Sequence, residues 1–200
     1  MKKALWLDSI NQEKIIKHKR LEGGVSSQVY HVKTKKNNYC IKRSLKKLLV
    51  KKKWEVDTNR IKYEYLWLKH CKQILNKSIP KTYDFNIEKK YIVMEYLQKS
   101  KYKTLKELYF KKIINLNTLK TISRHLYKIH SKSNNLKTKN TFKGNKNNFY
   151  DLRLDPYFNE IGRVYPEYKK YINNINKDYL RCSSTLVHGD FSPKNILIGK

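Results

Sequence analysis

Two hundred residues suffice for one domain with a proper core, or for two small lobes. A hydrophobic share of 39% with 12% aromatics excludes a disordered chain, and no window approaches the roughly 18 consecutive apolar residues of a membrane span. The formal charge of +30 raises an anionic partner such as RNA, DNA or a membrane surface.

That charge has a blander source. Nearly all of the excess is Lys rather than Arg, it is spread along the whole chain, and it is accompanied by abundant Asn, Ile and Tyr. These residues share A/T-rich codons, so base composition alone produces the profile. Nucleic-acid readers use Arg forks and clustered phosphate contacts, so a nucleic acid is disfavoured as partner. The N-terminus, MKKALWLDSINQEK, has the charged start of a signal peptide, but Asp8 and Asn11 interrupt the apolar stretch, and it reads as a cytoplasmic start with no membrane partner. Cys40, Cys71 and Cys182 are odd in number and scattered, which excludes a zinc cluster or a disulfide framework and predicts reduced, mostly buried thiols.

The first predicted strand, 15–21, ends at Glu22-Gly23-Gly24. In LEGGVSSQVYHV a glycine pair and two serines occupy the turn before a second strand, 29–32, where small residues let backbone N–H groups approach phosphate oxygens. The turn is neither a Walker A sequence nor a strict GxGxxG, and a Gly-Gly hairpin turn is an equally good reading. The polar turn KTKKNN leads into a third strand, 39–42, whose Lys42 stands where a strand lysine could hold the α/β phosphates of a nucleotide. A single Lys in so basic a chain is otherwise a solvated charge. Apolar residues Ile61, Tyr65, Leu68 and Leu75 then keep a helical period over 58–75. Glu64, inside that helix, is a partner for Lys42, with an i,i+4 pairing to Arg60 as the alternative. Glu55 lies only in the approach to the helix.

Pro80 breaks the chain before a hairpin of strands 83–85 and 91–94. YIVMEYL, residues 91–97, runs into a connector whose backbone at Glu95 to Leu97 could present donors and acceptors to an adenine ring, with Met94 behind it; the plain alternative is an edge strand and a linker. Helical patterns follow: Leu119, Ile122, Leu126 and Ile129 share one face, SKSNNLKTKNTFKGNKNN reads as a mobile surface loop, and helices are predicted over 151–161 and 167–180. The outline is a five-stranded sheet with a helix, a connector, and a mainly helical half, two lobes meeting at a cleft.

Last comes LVHGDFSPKNILIGK. Asp190 and Asn195, five residues apart, suit a loop in which the Asp accepts or orients the proton of an attacking hydroxyl and the Asn oxygen binds Mg²⁺. The flanking apolar residues predict buried short strands on both sides, with Pro193 stiffening the loop; an ordinary polar turn is the alternative.

Taken in order, the glycine turn, Lys42, Glu64, the VMEYL connector and HGDFSPKN resemble the aminoglycoside phosphotransferase and choline kinase family. The resemblance covers nearly the whole chain. It implies an α+β, protein-kinase-like two-lobe fold, with a nucleotide-binding N-lobe over 1–97 and a partial, mainly helical C-lobe over 98–200. It also implies ATP and Mg²⁺ as cofactors, and transfer of the γ-phosphate to a hydroxyl of a small molecule. By that resemblance Asp190 is the catalytic carboxylate and Asn195 a metal ligand. Lys42 is the phosphate-holding lysine with Glu64 as its partner. Gly23, Gly24, Val25, Ser26 and Ser27 form the nucleotide-covering loop, and Met94, Glu95 and Leu97 line the adenine site. His188 and Ser192 orient the catalytic loop; Ser192 stands where protein kinases carry a lysine, which favours the small-molecule branch. Arg153, Asp155 and Tyr157 are placed towards the acceptor. The family carries a second metal-binding acid after the catalytic loop, whereas this sequence ends five residues after Asn195, so a fragment with little phosphotransfer of its own is expected. The competing readings are an inactive kinase-like protein and a basic RNA-binding module. The fold serves many acceptors and does not choose among them, although the scarcity of acids argues against a cationic aminoglycoside.

Overall fold

The structure, a computed structural model, describes residues 7, 9–10, 12–22 and 24–199. Gly23 and most of the N-terminal stretch read above lie outside the described residues. The chain divides into two compact units, one running to Tyr102 and the other spanning Lys103–Gly199.

The first unit is built on an antiparallel sheet. A short hairpin, β1 (Ser9–Ile10) and β2 (Glu13–Lys14), precedes β3 (Lys17–Leu21), β4 (Ser27–Lys33) and β5 (Asn38–Ser44). After helix α1 (Arg60–Leu75) come β6 (Thr82–Asn86) and β7 (Tyr91–Glu95), and the five long strands order as β3-β4-β5-β7-β6. The register pairs Tyr30 with Ile41 and Ile41 with Val93, so these residues share one face of the sheet. Val32, Tyr39, Ile41, Tyr91 and Val93 are buried there with Ile10. The opposite face carries Cys40, Lys42 and Ser44, with Ile92 across from Lys42 and Met94 across from Cys40. α1 lies against that face, since its Glu64 reaches Lys42. It is helical because no Gly or Pro interrupts its apolar period, and it ends at Asn76, whose φ of 44° takes the chain out of the helix. Tyr65 on α1 stacks on Phe85 of β6 with ring centroids 4.3 Å apart.

The boundary falls at the first residue of β8 (Tyr102–Thr104), which pairs with β9 (Leu197–Gly199). Thr104 and Glu107 form a reciprocal capping box at the start of α2 (Leu105–Phe110). Helix α3 (Leu116–Lys132) is capped by Asn115, whose Oδ1 accepts from the Thr118 N–H at 2.8 Å. The stretch read as a mobile loop is instead largely helical: α4 (Leu136–Phe142) and α5 (Lys146–Phe149) occupy it. Asn135 caps α4 by accepting from the Thr138 N–H, so an asparagine that signals a loop by composition here starts a helix. A π-helical segment, Tyr150–Asn159, follows with Pro156 inside it, then α6 (Glu160–Val164) and α7 (Lys169–Arg181). Proline removes an N–H from the ordinary i to i−4 ladder, and the wider helix accommodates it: the Glu160 N–H reaches Asp155 O, five residues back.

Two other expectations need correction. After the loop β9 forms as expected, but before it no strand forms over 182–192; Leu186 is buried while Val187 and Leu197 are about half exposed, so the loop is not set between two buried strands. Cys182 is exposed, unlike Cys71. Among the described residues no helix is long and apolar enough to cross a membrane.

Candidate functional site

In the first unit, β5 presents Lys42 beside α1, and its Nζ donates to Glu64 Oε1 at 2.7 Å. Both side chains are about one-third exposed, so the pair is held in place yet open to a ligand. Glu55 is placed elsewhere, at 3.9 Å from Lys53. On the glycine turn, Gly24 and Val25 are exposed, Ser26 is half-buried and Ser27 is buried at the head of β4. Two hydrogen bonds fix its backbone: Leu45 N–H donates to Ser26 O at 3.1 Å, and Leu49 N–H donates to Val25 O at 2.8 Å.

The connector is only partly as expected. Met94 shares the sheet face of Lys42. Glu95 N–H, however, is already given to Lys81 O at 2.8 Å, and its carboxylate accepts from the Lys81 N–H at 3.1 Å, so Glu95 is not the donor for a base. Leu97 is half-buried. Tyr96 stacks on His31 of β4, ring centroids 3.8 Å apart at 14°, which ties the connector to the sheet.

In the second unit the loop 188–195 is held by its own hydrogen bonds. The Asp190 carbonyl accepts from Ser192 N–H and from Asn195 Nδ2, both at 2.9 Å, and Asn195 N–H donates to Ser192 O at 2.9 Å. Asp190 N–H donates to His188 Nδ1 at 3.2 Å. Gly189 has φ +77°, a left-handed conformation that favours glycine. Ser192 Oγ is turned inward without a hydrogen-bond partner among the described residues.

The Asp190 carboxylate sits between two cations. Arg153 Nη2 lies 3.2 Å and Lys194 Nζ 3.4 Å from its Oδ2, while Arg153 Nε donates to the Gly189 carbonyl at 2.8 Å. Partial burial alone would raise this carboxyl, but the two positive charges and the hydrogen bonds from Lys194 and Asn195 outweigh it and hold it below its ordinary value. Arg153 therefore contacts the loop 188–195 itself. Asp155 is engaged elsewhere, accepting from Asn159 Nδ2 at 3.0 Å and from Arg163, in a polar network that Asn176 of α7 completes by donating to Asn159 Oδ1 at 2.6 Å. Tyr157 is exposed.

For Mg²⁺ the donor set is thin. Among the described residues no group of three or more His, Cys, Asp or Glu side chains could hold a metal ion. Asn195 is neutral and spends its amide N–H on the loop, leaving only Oδ1, while Asp190 is already neutralised by Arg153 and Lys194. These residues do not make a metal site by themselves. The Lys42–Glu64 pair, an ammonium on the strand next to the one that the small-residue turn leads into, does suit a phosphate group.

The five-stranded antiparallel sheet with its helix, joined to a mainly helical unit, is the α+β architecture of the protein-kinase-like fold. No family model matches the chain, and no curated protein matches it. Among solved structures it is similar to a crystal structure of spectinomycin phosphotransferase, APH(9)-Ia, in complex with ADP and spectinomycin, with a TM-score of 0.51 and 14% identity over 94% of this chain. The match takes in 61% of that enzyme, so this chain spans less than two thirds of its length. At that identity the likeness is one of fold.

Sequence reasoning missed Arg60, Arg153 as a partner of Asp190, and Lys194. Lys194 was hidden among many lysines. The two arginines carried a signal: where Lys dominates so strongly, a retained Arg marks a place that needs a planar fork of donors.

Proposed function

We infer that this chain is the nucleotide-handling and catalytic-loop part of an ATP-dependent phosphotransferase whose acceptor is a hydroxyl of a small molecule. The observation that carries this reading is the Lys42–Glu64 ion pair, formed between the middle strand of the sheet and α1. Met94 shares that sheet face, across from Cys40, and the small-residue turn Gly24–Ser27 precedes the adjoining strand. A lysine made specific by a buried strand, a glutamate partner and a small-residue turn is what binding of a nucleoside triphosphate asks for. The solved neighbour, itself a phosphotransferase holding ADP, supports the same direction.

ATP, when bound, supplies the phosphoryl group that passes to the acceptor oxygen. Lys42 offsets phosphate charge, and Glu64 keeps its ammonium from swinging into solvent. Asp190 accepts a hydrogen bond from the acceptor hydroxyl and aims its oxygen. Because Arg153 and Lys194 lower its basicity, Asp190 is a weak proton store, and its role is orientation first, with proton uptake only as the new O–P bond forms. Small-molecule acceptors, magnesium dependence and the boundary of a nucleotide lobe near residue 97 belong to this proposal.

An inactive kinase-like protein is the second reading, favoured by the two cations on Asp190 and the thin metal donor set. Calorimetric titration with ATP in magnesium buffer tests the main reading, followed by ³¹P NMR with hydroxyl-bearing candidates. Binding with turnover supports the phosphotransferase; binding without turnover supports the inactive form. No ATP binding by the chain would overturn the main reading and leave the inactive form.

A further inference from the structure

Arg60 is the first residue of α1, where a cation opposes the helix dipole, and no acid in that first turn offsets it. Local preference therefore does not explain the residue; its long-range contacts do. Nη1 donates to Asp57 O at 2.8 Å, and Nη2 donates to Leu45 O at 2.9 Å and to Ser26 O. One guanidinium thus ties together three segments: the approach to α1, the end of β5, and the small-residue turn. Ser26 O is the same carbonyl that Leu45 N–H holds, and the adjacent Val25 O is held by Leu49 N–H. One helical turn further along α1, Glu64 holds Lys42. Residues four apart share a helix face. α1 therefore carries side by side the group that fixes the turn and the group that fixes the strand lysine.

We propose that Arg60 is a positioning residue for the small-residue turn, setting Val25 and Ser26 relative to Lys42 so that phosphate binding depends on a guanidinium that need not touch the ligand. The proposal rests on the nucleotide-binding reading above and deepens it. The planar fork is what the position needs, because a lysine ammonium is a single point and does not span Asp57, Leu45 and Ser26 carbonyls together. The guanidinium is half-buried, and its removal takes from the Leu45 and Ser26 carbonyls a part-buried charged donor, leaving Ser26 O with the Leu45 N–H alone.

The test follows the amides of Leu45 and Leu49, whose acceptors are the two turn carbonyls, by hydrogen exchange in the unaltered chain, Arg60→Lys and Arg60→Gln. Calorimetric ATP affinity in magnesium buffer is measured on the same proteins. In Arg60→Gln both amides are expected to exchange roughly 10- to 100-fold faster while the middle of α1 stays protected, and ATP affinity to fall about tenfold; Arg60→Lys falls between. Arg60→Lys retains the charge and the helix, so it decides the matter if Arg60→Gln does not fold. Unchanged exchange at Leu45 and Leu49 in a folded variant overturns the proposal, as does unchanged ATP affinity once those amides have opened. Absence of ATP binding in the unaltered chain instead sinks the nucleotide reading, and is told apart because the exchange measurement needs no ligand.

Discussion

The two units hold their key side chains by opposite means. Lys42 stands on a strand whose neighbours Tyr39 and Ile41 are buried, so its position is inherited from a packed sheet. Asp190 stands on a loop whose apolar flanks are only partly buried, Leu186 inward but Val187 and Leu197 about half exposed, and its position comes from hydrogen bonds within the loop and from Arg153 and Lys194. A site held by packing fails when the core fails. A site held by polar contacts changes its electrostatics while the fold survives.

The largest effect that separates the two is expected at Asp190. On the proposed reading, Asp190→Asn keeps the size of the side chain and is expected to reduce the phosphotransfer that the unaltered chain supports roughly 10²- to 10⁴-fold, the range for loss of a positioned proton acceptor. Thermal unfolding should barely move, because the carboxylate and its partners are partly exposed. A large fall in melting temperature would break the contrast. The pH dependence carries the same point. The folded-state carboxyl is held below the ordinary value, so its contribution to stability is fully present above the unfolded pKa of about 3.9 and is lost as pH falls through the lower folded value. Asp190 should therefore contribute no acid limb to turnover above about pH 4; a limb near pH 6 that vanishes in Asp190→Asn would contradict this.

Next comes the sheet. Ile41 is fully buried between Tyr30 and Val93, and Ile41→Ala is expected to cost about 2–5 kcal/mol in urea unfolding, with the loss of Lys42 function following the loss of fold. A smaller loss is expected at Gly189→Ala. A Cβ there would meet only the Phe149 ring at an ordinary 3.8 Å, so the cost arises from the +77° φ and should be about 1–2 kcal/mol. Near-neutral unfolding in this variant would show that the loop relaxes its backbone without penalty.

Legibility in the sequence divides along the same line. The sheet was readable because short apolar runs bounded by polar turns mark strands, and Lys42 stood out by the order of parts along the chain, with Glu64 set apart from Glu55 by lying inside the periodic helix. The helices of 136–149 were not, because Asn135 is a cap only in the context of the turn it starts, and composition alone reads Asn as loop. The surroundings of Asp190 were not legible either. Arg153 lies 37 residues before it on a π-helical segment, and no local pattern announces that Arg153 will fold back onto Gly189 and Asp190. The exposed flanks of the loop were missed because an apolar run predicts burial, whereas Val187 and Leu197 remain about half exposed.

The thiols give the smallest and cleanest measure of the contrast. Cys40 and Cys71 belong to the sheet unit, and burial pushes their thiols up to about 11 and about 12, against which the positive charge of Lys42 near Cys40 is a minor offset. A thiol raised that far is almost entirely protonated at neutral pH, and the thiolate is the reactive form. Cys182, at the end of α7, is exposed. An aromatic disulfide reagent at pH 8 should therefore titrate one thiol rapidly in the folded protein, and all three after denaturation. The Cys182→Ser variant should lose the fast phase alone, with unfolding unchanged, because an exposed side chain past the helix end contributes little packing. A fast phase from Cys71 would mean that the packing between α1 and the sheet opens readily. Lys42 would then be held no more firmly than Asp190, and the distinction between a core-anchored and a loop-anchored side chain would fall.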